Sequence, residues 1–170
     1  MRRSGWIMIV ALVFLAGCAT KPAELPVRTQ YTKEVDFSAL KSFRPAADVA
    51  PEASEYPKYQ AMARAVVEEE LIARSYTRLE DGTPDFRVRA HLRFRSFESR
   101  KLGSDKTTGG PSAARDDIRD VTLVVEMLSA VDETVIWSGT VSGFKLDPVK
   151  SRATIKTAAW RLFVEFPPLW

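Results

Sequence analysis

Two groups of side chains in this sequence have the types and spacing to do chemistry. The first is a ladder of arginines, Arg87, Arg89, Arg93 and Arg95, that alternates with the apolar Phe86, Val88, Ala90, Leu92 and Phe94. On an extended strand, alternate side chains stand about 7 Å apart on one face, so four guanidiniums there can offer paired N–H donors to phosphates or carboxylates. The competing reading is a solvated charged face, with Glu34, Asp36 and Glu126 pairing the arginines across a sheet at small net energy. His91 shares the basic face. As the chain's single histidine it cannot build the usual metal sites, which combine His with Cys or several carboxylates. The second group is Cys18, the only cysteine, and the small residues just before it.

Cys18 closes a segment with the layout of a secretory leader. Met1 to Gly5 is short and basic, Trp6 to Ala16 is an unbroken apolar run, and Thr20-Lys21-Pro22 is polar. The run falls short of the about 20 apolar residues that span a bilayer. Leu15-Ala16-Gly17-Cys18 resembles the bacterial lipobox, in which small residues before the cysteine admit a signal peptidase. That resemblance implies recognition of Leu15, Ala16 and Gly17, cleavage after Gly17, and lipid on the Cys18 sulfur. Residues 1–17 then read as a lipoprotein signal peptide, 18–27 as the lipidated cysteine and a Pro-containing tether, and 28–170 as one folded domain. An alanine at position 19, where an aspartate retains lipoproteins in the inner membrane, points to the outer membrane facing the periplasm.

The elements that must hold the basic ladder follow from periodicity. Val27, Tyr31, Val35 and Phe37 fall in period-two phase, and a short extended piece over 41–44 precedes a Pro- and Ala-rich loop. Ser54 can cap a helix from about Glu55 to Arg74, with Tyr59, Met62, Ala63, Val66, Val67 and Leu71 on one stripe and Glu68, Glu69 and Glu70 toward the outside. Val121 to Leu128 and Thr134 to Val141 are close enough to form a hairpin. Asp147 and Pro148 read as the start of a last helix with Ile155, Ala158, Ala159, Leu162, Phe163 and Phe166 on its stripe. Trp137 and Trp160 lie in periodic elements and read as packing residues, whereas Trp170 follows the helix stop at Pro167-Pro168. The order β(β)αβββα predicts an α+β fold, an antiparallel sheet of about four to five strands with two helices packed on one face.

With those elements placed, the chain resembles the bacterial envelope family known as domain of unknown function 4136. Four stretches carry the resemblance: Val35 to Phe43, Leu71 to Tyr76 with Pro84 to Val88, Val121 to Val125 with Val135 to Gly139, and the terminal helix ending Phe166-Pro167-Pro168. Ser75 departs from the pattern, standing where the family usually has a helix-ending glycine. The resemblance implies a fold and a lipoprotein habit, and it carries over no catalytic residue.

Nothing else in the sequence supplies a reaction. There is no nucleophile-elbow pattern, Asp116, Asp117 and Asp120 lack calcium-loop spacing, and Gly109-Gly110 does not open a phosphate-binding loop. The segment 98–119 reads as a long polar connection. No catalytic set, cofactor or metal is expected. Loss of the leader removes Arg2 and Arg3 from a formal charge of +3, and a mature charge of about +1 in a secreted compartment disfavours nucleic acid as a partner. The expected protein is a non-enzymatic binding or structural module, tied to a membrane through Cys18, with Arg87, Arg89, Arg93 and Arg95 as a candidate face for an anionic envelope component or an envelope protein. The alternatives are an accessory to an outer-membrane assembly, or an enzyme acting on cell-wall or lipid substrate.

Overall fold

The computed structural model of the chain describes residues 25–46, 56–95, 118–164 and 166. Cys18 and the leader, Ser54, Asp116 and Asp117, and the Pro167 to Trp170 end lie outside the described residues. So does nearly all of the 98–119 connection. The elements run β1 (Val27–Tyr31), β2 (Ser42–Pro45), α1 (Pro57–Ala73), β3 (Thr77–Arg78), β4 (Phe86–Phe94), β5 (Ile118–Ser129), β6 (Val135–Leu146) and α2 (Ser151–Val164). The strands form one sheet in the order β1-β6-β5-β4-β2-β3. Two helices on a sheet make the α+β class expected from the order of elements, with six strands in place of four to five.

The sheet is mixed. The pairs β1–β6, β5–β6 and β4–β5 are antiparallel, but β2 runs parallel to both β4 and β3. Asp85 fastens the parallel part. Its Oδ2 accepts hydrogen bonds from the Lys41 N–H at 2.9 Å and from the N–H and hydroxyl of Ser42, each at 2.8 Å. These donors favour the charged form, chiefly the Lys41 N–H, and hold the carboxyl below its ordinary range. The parallel pairing with β2 ends at Val88, so farther along β4 would leave bare N–H and C=O groups. Gln60 of α1 takes the place of a strand there: its Nε2 donates to Leu92 O and its Oε1 accepts from Leu92 N, both at 2.7 Å. A paired edge of this kind avoids the cost of orphaned backbone groups.

The core lies between the sheet and the helices. Ala63, Val66, Val67 and Leu71 of α1, and Ile155, Ala158, Ala159, Leu162 and Phe163 of α2, meet Phe43, Phe86, Val88, Leu123, Val125 and Trp137 from the strands. Trp137 stacks on Phe163 with ring centres 6.0 Å apart, and Phe166 meets it edge-on at 5.0 Å. A Cβ on Gly139 would stand 2.5 Å from Leu162 Cδ1 and 2.6 Å from the Trp137 ring, so the close approach of α2 to β6 requires glycine.

Several expectations are corrected. The first strand ends at Tyr31, and the chain then turns so that Phe37 enters the core against Phe166. Helix α1 begins without a side-chain cap, and the proline at its start needs no N–H partner. Glu70 points inward: it is buried and bonded to Arg74 at 2.6 Å. Asp147 caps a turn, accepting from Val149 N–H at 2.7 Å, and α2 starts only at Ser151. Trp160, read as a packing residue, is 54% exposed, because it sits beside the buried stripe of α2 and not on it. Ser75 adopts the left-handed conformation that glycine usually fills, with φ 69°, while Tyr76 N–H closes the helix end on Leu71 O.

Candidate anion-binding face

Alternation along β4 sends Phe86, Val88, Ala90 and Leu92 into the core and Arg87, Arg89, His91 and Arg93 to the opposite side of the sheet. Register with β5 places Leu128 beside Arg87, Glu126 beside Arg89, Val124 beside His91 and Thr122 beside Arg93. No helix among the described residues covers this side. Even so, Val124 and Leu128 are buried, and the register lays the Arg87 stem next to Leu128, as long basic side chains commonly cover apolar neighbours.

The structure keeps the four arginines on one ladder but divides them chemically. Arg87 is salt-bridged to Glu133 at the tip of the β5–β6 hairpin. Arg89 pairs with Glu126 at 3.1 Å, the cross-strand partner considered from sequence. Arg95, with a side chain 74% exposed, makes a looser contact with Asp120 at 3.4 Å. Arg93 is exposed and has no ion pair among the described residues. Asp36, also considered as a partner, instead accepts from the N–H and hydroxyl of Ser38. Three of the four guanidiniums are therefore ion-paired, the Arg95 contact being the longest and most exposed, and Arg93 alone of the four has no ion pair among the described residues.

Arg44 of β2 lies next to Arg87 in the sheet, and its Nη2 donates to Gly82 O at 2.8 Å. Sequence periodicity missed this arginine because four residues of β2 are too few to show a face. His91 is half-buried, and removal from water, followed by the nearby Arg93 charge, pushes its pKa below the ordinary histidine value. It is thus neutral near pH 7 and adds a donor and an acceptor, but no charge, to the face. Among the described residues no three His, Cys, Asp or Glu side chains come together as a metal-ligand set, and no helix is long and apolar enough to cross a membrane.

The model of one protein family, described as a domain of unknown function (DUF4136), matches residues 27–168. The chain belongs to that family. No curated protein matches it. Among solved structures, a PDZ domain protein from Parabacteroides distasonis ATCC 8503 is similar with a TM-score of 0.57 and 13% identity, over 86% of this chain and 36% of that one. The chain thus spans about a third of that protein's length. A PelC dodecamer from Paraburkholderia phytofirmans is similar with a TM-score of 0.50 and 13% identity, over 81% of this chain and 93% of that one. At such identities the likeness is one of fold.

Proposed function

We propose that this DUF4136 chain is a lipid-anchored, non-enzymatic binding module of the bacterial envelope, held by Cys18 at the periplasmic face of the outer membrane. Its basic sheet face would bind an anionic envelope component. The observation that supports this reading is the asymmetry of the sheet: one side packs on two helices, and the other presents an arginine ladder that ends in the exposed Arg93 and Arg95. Two substitutions test the two halves of the proposal. Cys18→Ala should abolish labelling by a radioactive fatty acid and leave the precursor uncut; normal processing and membrane attachment of that variant would refute the anchor. Replacing Arg93 and Arg95 by Gln should weaken salt-sensitive retention on anionic envelope extracts far more than replacing Arg87 and Arg89, and equal losses would refute the division of the ladder.

A second reading, an accessory to an outer-membrane assembly, is favoured by the likeness to PelC over nearly its whole length, since that protein forms a dodecamer. Sedimentation of the lipidated chain in detergent separates the readings, because a ring of copies would sediment far ahead of a monomer.

A further inference from the structure

The end of the sheet at which the chain enters from Cys18 also carries three basic side chains, Arg93, Lys145 and Lys150. Pro26 O accepts from Ser142 N–H at 3.2 Å, and Val27 pairs with Val141, so the chain arrives beside the second half of β6. Phe94, Val121 and Phe144 form one row across that end. Just beyond them come Arg95, Asp120 and Lys145. The row owes its geometry to paired irregularities in β5 and β6: Asp120 and Gly143 both have positive φ, at 58° and 80°, and the register slips on either side of Val121. The slip turns Phe144 and Leu146 into the core and leaves Lys145 exposed between them.

Strand β6 then runs into the Asp147–Lys150 turn, which places Val149 at its tip, 90% exposed, with Lys150 next to it. Among the described residues, Arg93, Lys145 and Lys150 have no ion pair. Two acids lie nearby: Asp120 faces Arg95, and Asp147 accepts the N–H groups of Val149 and Lys150. The 96–117 connection leaves and rejoins the sheet at this same end with four basic and four acidic residues, so it does not alter the balance. The 47–55 connection, with three acidic residues and no basic one, joins Ala46, bonded to Val88 O, to Tyr56, packed on Phe94, and so rejoins the described fold at the Phe94 row. The opposite end of the sheet differs, with Asp132 and Glu133 at the hairpin tip beside an equally bare Val131, 95% exposed.

We infer that this end of the domain seats on the anionic lipid surface of the membrane that holds Cys18, with Val149 entering the headgroup layer and Arg93, Arg95, Lys145 and Lys150 meeting lipid phosphates. The inference rests on the anchor proposed above and names the partner of the exposed Arg93 and Arg95. Reach supports it: the seven Cα-to-Cα steps from Cys18 to Leu25 extend at most about 25 Å, so the β6 end is held near the bilayer while the hairpin tip is carried away from it. Charge supports it as well, since each basic residue near an anionic surface is worth about a fivefold gain in association, lost beyond a Debye length. A seated domain turns the hairpin tip, with Asp132 and Glu133, toward the periplasm.

The test uses the full lipidated chain in vesicles of phosphatidylcholine alone or with phosphatidylglycerol. A fluorescent probe is placed on Val149→Cys in one sample and on Val131→Cys in another. With phosphatidylglycerol, quenching by dissolved acrylamide should fall several-fold at position 149 and stay unchanged at 131. The loss should vanish in pure phosphatidylcholine, at high salt, and in a Lys145→Glu, Lys150→Glu variant, whose exposed changes leave the core intact. Equal quenching at both positions on chains that float with anionic vesicles would overturn the seating while sparing the anchor. Chains that fail to float would overturn the anchor itself. Protection of position 149 that requires added acidic envelope proteins, and is absent with vesicles alone, would overturn the lipid surface in favour of a protein partner.

Discussion

The two sides of β4 are built from the same nine residues and hold the protein together very differently. On the helix side, Phe86 is fully buried, stacks with Phe43 at 6.0 Å and meets Tyr76 edge-on at 5.5 Å. Such contacts combine apolar burial with close packing, and both are lost when a side chain is shortened. On the other side, Arg87 and Arg89 meet carboxylates in partly exposed pairs, which contribute little because water solvates the separated charges well. The difference teaches that the helix side sets stability and the arginine side is free to serve recognition.

Four substitutions or conditions would break or sharpen that contrast. The largest effect is expected for Trp137→Ala, which empties the space between Phe163 and Phe166 and should lower unfolding free energy by about 3–5 kcal/mol in urea titration. A loss near that of a surface change would mean that α2 does not anchor on β6. Gly139→Ala comes next. Its new methyl group must displace Leu162 and the Trp137 ring, at about 1–3 kcal/mol by the same measurement.

On the arginine side, Arg89→Gln should cost under about 1 kcal/mol. A core-sized loss would show that the Arg89–Glu126 pair is structural and end its candidacy as a recognition group. The smallest effect concerns pH. His91 has a folded pKa below its unfolded value, so the neutral form is favoured in the fold; stability is full above about pH 6.5 and declines as pH falls through the folded pKa. In a series of unfolding curves the slope through this range should flatten in His91→Gln, and an unchanged slope would show that another group carries it.

The legible parts of this fold were those written in local periodicity. The β4 alternation, the β5–β6 hairpin and the stripes of both helices all appear in the structure. The parallel pairing of β2 with β4 was not legible, because it joins residues more than 40 positions apart and depends on Asp85 reaching back to Lys41 and Ser42. Strand β3 has only two residues, too few for a period. Trp160 could have been read correctly, since it falls off the Ile155, Ala158, Ala159, Leu162 stripe that spacing alone defines. For the candidate face, the four arginines were visible from their alternation. Two of the partners that divide them, Glu133 and Asp120, were not, because one sits in a turn and the other in a slipped register.

By itself the sequence determined that β4 has one apolar and one basic side, since a strand's two-residue period follows from backbone geometry and needs no neighbour. It likewise marked Cys18 as the sole thiol, behind Leu15, Ala16 and Gly17. Only the tertiary structure decided which arginines are occupied, and that Arg93 and Arg95 share one end of the sheet with Lys145 and Lys150. That outcome depends on strand order, register and two compensating bulges. Each of these is fixed by contacts between residues distant in the chain, where local spacing carries no information.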